Sequence, residues 1–347
     1  MTQTHARIER ADPRTATEAL LRAVAQHREV IRTERLPNDP PIPLEQLVKE
    51  MRHVTKDEDV LHVNAFDGDR VVGHAALFLP LRDNTHLAFV SLDVQAPYRR
   101  QGIGTALLGE VVREATEQGR TTLMGDTNDT IPAGEAFTRH LGARAALPMH
   151  TNQLDLATVN HGMLDAWIEE AEARAPQYHV WLNAGPYPQG RLQDIANLWQ
   201  VMNSAPRGDL DMQDWEMSPE RLLDWQGQME ATGELRLTAF AEHTESGLLV
   251  GFSELFWQPA RASLLFQGAT AVRPEHRRHH LGRRLKAANL REALRRNPQA
   301  RFVRTGNADS NVGMLAINHA LGFRPFMART EWQISVQDAH AALNRER

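Results

Sequence analysis

The chain has 347 residues, a net charge of −5 and no cysteine. This length accommodates two domains, whereas disulfides, thiolate metal sites and a cysteine nucleophile are excluded. Because no apolar stretch approaches the roughly 20 residues that span a bilayer, and the polar N-terminus lacks a secretory signal, we expect a cytoplasmic protein that binds neither membranes nor nucleic acids in general.

Hydrophobic periodicity in the first half predicts a mixed series of helices and strands. After the first two helices, two alternating segments flank the turn Asp67–Asp69, which is typical of a β-hairpin. The predicted helices cover 15–35, 44–51, 102–118 and 133–141, and the predicted strands cover 61–66, 71–79, 87–94, 121–124 and 149–156.

The second half repeats this order of elements. Between the halves, an acidic segment with helical spacing ends at Pro176 and is interpreted as a connecting helix. The sequence therefore predicts an α+β (mixed α/β) fold with domains at 1–156 and 177–347 and a linker at 157–176, each domain a twisted mixed sheet flanked by helices. In the second domain, helices are predicted at 192–202, 281–296 and 311–321, and strands at 235–241, 248–257, 264–272, 302–305 and 326–334.

The two halves share a recognisable repeat. Without any gap, residues 72–115 align with residues 250–293, and thirteen of these forty-four positions are identical. The identities keep the hydrophobic pattern of two strands, a loop and a helix. This is an internal duplication with the period of a whole domain rather than of a solenoid unit.

The duplicated loop has the features of a phosphate-binding site. A strand leads through Arg99 and Arg100 to Gly102 and Gly104 at the start of a helix. The first turn of a helix has unpaired N–H groups and a positive dipole end, and glycine lets an anion approach the backbone. One such loop could be only a glycine-containing helix start, but two copies in the same order of elements favour anion binding. In the second copy His280 replaces the first glycine, which predicts weaker binding there.

These motifs resemble the GCN5-related N-acetyltransferase (GNAT) superfamily. The resemblance rests on a strand, the stretch R-R-x-G-I-G-x-x-L-L with its long helix, and a further strand and helix ending in Leu-Gly. Two copies in tandem are similar in architecture to mycothiol synthase. The resemblance implies acetyl-CoA as the cofactor, with its pantetheine arm between two splayed parallel strands in each half. It implies cofactor contacts at Val94, Arg99, Arg100, Gln101, Gly102, Ile103, Gly104 and Thr105, and at Val272, Arg277, Arg278, His279, His280, Leu281, Gly282, Arg283 and Asn311.

The chain departs from the family at the proton donor. Many members have a tyrosine four residues before the glycine of the final Leu-Gly, and it protonates the departing thiolate. Here that position is Thr138 in the first half and Asn318 in the second. We therefore expect the proton to come from water or from another residue.

The candidate base for an acceptor amine is Glu254, which lies in a largely apolar strand of the second half. Burial would raise the pKa of its carboxyl group and suit a base, although a solvent-facing glutamate is the simpler interpretation. The first half has Ala76 at this position. Asp209 and Asp211 are candidate contacts for a cationic amine, with solvated loop charges as the alternative. Asn311 could cap a helix, contact pantetheine or do both.

The arginine-rich segment 277–296 is interpreted as cofactor contacts followed by a solvated helical face. It lacks the interleaved aromatic residues of a single-strand-binding surface. His279 and His280 are not expected to bind a metal, because adjacent residues diverge on a helix and no carboxylates accompany them.

The leading hypothesis is an acetyl-CoA-dependent N-acetyltransferase for a small-molecule amine. The alternatives are a non-catalytic acyl-CoA-binding sensor, or one catalytic and one degenerate cofactor-binding domain. Glycine content predicts tighter cofactor binding in the first half, while Glu254, Asp209 and Asp211 favour chemistry in the second. The sequence specifies neither the acceptor nor an oligomeric state.

Overall fold

The computed structural model describes residues 6–345 as two compact units. Unit 1 contains residues 6–148, 208–214 and 327–345, and unit 2 contains residues 149–207 and 215–326. Both units are mixtures of helices and strands, and the predicted mixed α/β class is confirmed. The boundaries proposed from sequence remain a prediction, and the compact units differ from them because each unit includes chain from both halves.

Most predicted elements are present, and several are longer than predicted. In the first half the order is β1 (Arg7–Ala11), α1 (Glu18–Arg35), α2 (Leu44–Arg52), β2 (Glu58–Asp67), β3 (Arg70–Pro80), β4 (Leu87–Val94), α3 (Ile103–Glu117), β5 (Thr122–Asn128), α4 (Pro132–Leu141) and β6 (Arg144–Asp155). The strand β1 was not predicted, because its sequence RIERA is polar and pairs along only one edge.

The second half begins with the connecting helix and contains three further unpredicted elements, β7, α7 and α10. The order is α5 (His161–Arg174), β7 (Tyr178–Ala184), α6 (Leu192–Trp199), α7 (Pro219–Thr232), β8 (Leu235–His243), β9 (Leu249–Trp257), β10 (Leu264–Val272), α8 (Leu281–Arg296), β11 (Phe302–Ala308), α9 (Val312–Leu321), β12 (Arg324–Ser335) and α10 (Val336–Arg345). The helix α7 has a regular start, because Ser218 caps it and Pro219 occupies its first position.

The sheet of unit 1 has the strand order β1-β2-β3-β4-β5-β12. Only β4 and β5 run parallel, and every other neighbouring pair is antiparallel. The helices α3 and α10 cover one face, and α1 packs with α2 against the other. Gly73 allows close packing of α3, since a Cβ there would lie 2.8 Å from the Ile103 side chain.

The sheet of unit 2 has the order β6-β11-β10-β9-β8-β7, with β10 and β11 parallel. One core lies between this sheet and the helices α5 and α8. A second, aromatic-rich core involves α6 and α7 and includes Trp199, Phe240 and Phe252. The two cores place different chemistry on the two faces of the same sheet.

The last strand of each sequence half belongs to the other half's sheet. β12 pairs antiparallel with β5 at seven positions, from Arg329 opposite Asn128 to Ser335 opposite Thr122. β6 pairs in the same way with β11, from Asp155 opposite Phe302 to Met149 opposite Ala308. β6 and β12 therefore each pair with a strand that is distant in sequence.

Candidate active site

In both units the parallel strands separate after three residue pairs. β4 pairs with β5 only at Leu87, Ala88 and Phe89, although β4 continues to Val94. β10 pairs with β11 only from Leu264 to Phe266, and then continues to Val272. The separated edges present backbone N–H and C=O groups that no described strand pairs, so an extended polar chain can hydrogen-bond there. The predicted splayed strands are present in the structure.

The loop after β4 ends in a helix start that fits a phosphate. Gly102 precedes α3 in the left-handed conformation with φ of +80°, and no side chain caps the helix. The first intrahelical bond runs from Ala106 N–H to Gly102 O at 2.9 Å. The space that a Cβ of Gly102 would occupy has no heavy atom within 4 Å. An uncapped helix N-terminus beside open space is a suitable anion site.

The two arginines of each loop have different surroundings. Arg99 forms a two-pronged ion pair with Glu34, at 2.6 and 2.7 Å, and its Nε donates to Val94 O at 2.9 Å. Arg277 repeats this anchor through Val272 O at 3.0 Å. Both therefore fix the loop to the end of the strand. Arg100 and Arg278 are exposed and have positive φ, so they are the arginines placed to meet an anion.

The second loop differs from the first through strain at its helix start. His280 adopts the same left-handed conformation as Gly102, with φ of +57°. A side chain costs about 1–2 kcal/mol in that region. The geometry of the glycine copy is therefore kept despite the substitution.

The positions of the family's usual tyrosine hold neutral groups. The Thr138 hydroxyl donates within its own helix, to Gly134 O and Glu135 O. Asn318 is completely buried and its Nδ2 donates to Asn307 Oδ1 at 2.8 Å, while its Oδ1 has no partner. Neither side chain can serve as an acid near neutral pH, as the sequence indicated.

Glu254 of β9 is buried in a polar network within the aromatic core of unit 2. Its Oε1 accepts hydrogen bonds from the Tyr187 hydroxyl and, at 3.3 Å, from the Thr238 hydroxyl. Its side chain is only 2% exposed. Burial raises the pKa of the Glu254 carboxyl group, while Arg236 and the two hydroxyl donors oppose that shift. No hydrogen bond from a described residue ends on Oε2, which leaves this oxygen for a proton.

Tyr187 was not identified from the sequence. It lies between Pro186 and Pro188 in the loop after β7, and its backbone N–H donates to Gln226 Oε1 at 2.5 Å. The Arg236 guanidinium stacks 3.4 Å from the centre of the Tyr187 ring. A tyrosine fixed between two prolines was the available sequence signal, since proline restricts the backbone on both sides.

The structure places Asp209 and Asp211 in unit 1, whereas Glu254 lies in unit 2. Asp209 N–H donates to Ala146 O at 3.1 Å, and Asp211 N–H donates to Gln333 Oε1 at 3.1 Å. Both carboxylates are mostly exposed, at 82% and 60%. The loop of these aspartates therefore packs on β6 and β12, and their proposed contact with an amine remains a prediction.

Asn311 caps α9, since its Oδ1 accepts from Met314 N–H at 3.3 Å. The proposed contact of Asn311 with pantetheine remains a prediction. Within residues 6–345, no group of three or more His, Asp or Glu side chains is arranged to hold a metal ion. In the same range no helix combines the length and apolar character that a membrane span requires.

Comparison with known proteins identifies the first copy of the motif. Residues 24–143 match the sequence model of the Acetyltransferase (GNAT) family. Residues 24–143 form a GNAT acetyltransferase domain. This assigns the domain, which contains the splayed strands β4 and β5 and the first loop, to the acyltransferases. No curated protein sequence matches the chain.

Solved structures show the same fold over the whole chain. A tandem GNAT protein from the clavulanic acid biosynthesis pathway, determined without AcCoA, has 24% identity and a TM-score of 0.77, and the match covers 95% of this chain and 99% of that one. A GCN5-related N-acetyltransferase from Sphaerobacter thermophilus has 15% identity and a TM-score of 0.62, with 95% and 96% covered. The chain therefore has the tandem GNAT fold.

Proposed function

We propose that the protein is an acetyl-CoA-dependent N-acetyltransferase that transfers an acetyl group directly to a small-molecule amine. The observation that carries this proposal is the combination, within the GNAT domain, of strands that separate after Phe89 and an uncapped helix that starts at Gly102. The first can pair with an amide-containing arm, and the second can bind its pyrophosphate. Coenzyme A has both groups in this order.

The proposed cofactor contacts follow this geometry. In unit 1 the backbone from Gln101 to Thr105 would surround the pyrophosphate, Arg100 would add positive charge, and Val94 would border the arm. In unit 2 the segment His279–Arg283 and Arg278 would do the same, with Val272 at the strand. Arg99 and Arg277 act indirectly, by holding the loops in place.

The amine must lose a proton before it attacks, and Glu254 is the proposed acceptor in unit 2. Its Oε1 is occupied by two hydroxyl donors, so Oε2 receives the proton. Burial raises the pKa of this carboxyl group, which brings its basicity closer to the working pH. Since Thr138 and Asn318 cannot donate a proton to the thiolate, the proton comes from water or from another residue.

The direct test is thiol release from acetyl-CoA over a panel of primary amines, with the acetylated product identified by mass spectrometry. We expect at least one amine to give equal amounts of free thiol and N-acetyl product. Acetyl-CoA binding without transfer to any amine would instead favour the sensor. Thiol release without N-acetyl product would contradict amine acetylation.

The two loops allow the contribution of each unit to be separated. Gly104→Phe should obstruct the anion site of unit 1, and Gly282→Phe is the matched change in unit 2. Calorimetry on the full chain should show two acetyl-CoA sites in the wild type, and the tighter one should disappear with Gly104→Phe. Loss of the tighter site in the Gly282 variant would contradict the argument from glycine content.

A further inference from the structure

Three buried histidines form a cluster on the α1-facing side of the unit 1 sheet. His27 comes from α1, His62 from β2 and His74 from β3, and they are 1%, 4% and 5% exposed. The His62 and His74 rings lie 4.8 Å apart and those of His27 and His74 lie 6.2 Å apart, both edge to face. Burying three imidazoles in a protein core costs free energy, because each ring carries polar nitrogens.

The cluster has a defined hydrogen-bond order and unpaired atoms. His74 Nδ1 lies 2.9 Å from Asn64 Oδ1. Because an amide oxygen can only accept, Nδ1 of the neutral ring carries the hydrogen and Nε2 carries the lone pair. His27 Nε2 and Asn64 Nδ2 are buried without a partner. Unsatisfied buried donors and acceptors are rare in native cores and indicate a missing polar partner.

The cluster lies next to the position that is equivalent to Glu254 in the duplication. His62 faces Ala76 across β2 and β3, as Thr238 faces Glu254 across β8 and β9. His74 is one position along the same face of the sheet, two residues before Ala76. Unit 1 therefore has Ala76 where unit 2 has the carboxylate, and its imidazoles lie at neighbouring positions on the same face, with His74 opposite Asp93 of the splayed strand β4.

We propose that unit 1 is a second acetyl-transfer site in which Nε2 of His74 accepts the proton of the acceptor amine and Asn64 fixes the ring. This inference rests on the proposed N-acetyltransferase function and adds a second, chemically different base. Burial and the nearby cations hold the pKa of the His74 ring well below its usual range, so the resting ring is neutral and Nε2 carries its lone pair. The charged or titratable groups around the cluster are His27, His62, Arg28, Arg70, Asp12 and, opposite His74 on β4, Asp93.

The proposed transfer moves one proton to His74 and one proton to the departing thiolate. The ammonium form of the acceptor gives one proton to His74 Nε2, and its nitrogen forms a bond to the acetyl carbon of the thioester as the carbon–sulfur bond breaks. The remaining excess proton of the new amide passes to the thiolate through water, giving free thiol, and His74 returns its proton to solvent. A polar neighbourhood with unpaired His27 and Asn64 atoms suits a small polar amine, whereas the aromatic core around Glu254 suits an apolar one.

The test uses the full chain and the amine panel. In the Glu254→Gln variant, which lacks the carboxylate of unit 2, we expect residual acetyl transfer to some amines. Adding His74→Ala should lower that residual rate by about 100-fold or more, and free imidazole should restore part of it. His62→Ala is the matched control, because it removes a ring of equal size and similar burial, yet imidazole should not restore its rate.

Equal losses in the His62 and His74 variants with no imidazole rescue would overturn the proposal, since the cluster would then be structural. No residual transfer in Glu254→Gln would also overturn it. A wild-type protein that acetylates no amine would instead be a failure of the proposed function. Thermal unfolding and acetyl-CoA binding of His74→Gln, which keeps a polar side chain, separate chemistry from misfolding.

Discussion

Burial and hydrogen bonding act in opposite directions on the carboxyl group of Glu254. Burial favours the neutral acid, while the positive charge of Arg236 and the hydroxyl groups of Tyr187 and Thr238 favour the carboxylate. The net pKa lies above the ordinary value of glutamate. The sequence predicted the apolar strand of Glu254, but not its three polar partners, because these come from other elements.

Removing the Tyr187 hydroxyl should therefore raise the pKa of Glu254. In Tyr187→Phe the carboxylate loses a donor, so the acidic limb of the kcat–pH profile should move to higher pH. Glu254→Gln should lower kcat for the unit 2 amines by about 100-fold and abolish that limb. Thr238→Val removes the more distant donor and should move the limb less. A limb that stays in place in Tyr187→Phe would remove Glu254 from the proton transfer.

Gly102 and His280 have the same backbone conformation with different side chains. Exchanging the two residue types therefore tests the energetic cost of that conformation. His280→Gly should stabilise the protein by about 0.5–1 kcal/mol, because relief of the left-handed strain exceeds the added freedom of the unfolded chain. Gly102→His should destabilise it by a similar amount. Urea unfolding measures both, and equal stability in all three proteins would show that φ at this position costs nothing.

The predicted elements were correct where one segment carries its own pattern. The duplicated hairpin, the splayed strands and the helices α3 and α8 follow from spacing and from the loop motif. The strands β1 and β7 and the helices α7 and α10 were missed. A short polar segment such as Arg7–Ala11 becomes ordered only by pairing with a neighbour. The exchange of β6 and β12 could not be predicted, since either final strand has a pattern that fits either sheet.

The placement of α10 in the unit 1 core provides a matched test of this arrangement. Ala339 is completely buried in that core, and Ala341, two residues later on the same helix, is exposed. Ala339→Lys should destabilise the protein by about 3 kcal/mol or more, because it buries an unpaired charge. Ala341→Lys should change stability by less than about 0.5 kcal/mol. Similar stabilities in urea for the two variants would contradict this placement of α10.

Duplication has given the two units one scaffold with different buried titratable groups. The register of the β2–β3 hairpin alone places His62 and His74 on one face of the sheet. His62 lies opposite Ala76, and His74 is two residues from Ala76 on the same strand, so it points to the same side. The contribution of His27 is a long-range packing effect, and so is that of Tyr187 in unit 2. The scaffold was therefore predictable from the repeat, while the polar chemistry on it depended on contacts between distant segments.

These buried groups predict opposite responses of the two units to acid. Burial lowers the pKa of His27 and of His62 from 6.5 to about 4. The unfolded chain therefore binds protons first as pH falls through 6.5, and each histidine removes about 2 kcal/mol of stability by pH 5. Glu254 has a raised pKa in the folded state, so acidification relieves its cost instead.

Hydrogen exchange, corrected for the intrinsic effect of pH, should show protection falling in β2, β3 and α3 between pH 7 and 5. Protection in β8 and β9 should fall less over that range. In His62→Gln the loss in unit 1 should be smaller, because one of the groups that charges on unfolding is absent. Equal loss of protection in β2 and β8, unchanged by His62→Gln, would show that these histidines do not control the acid response.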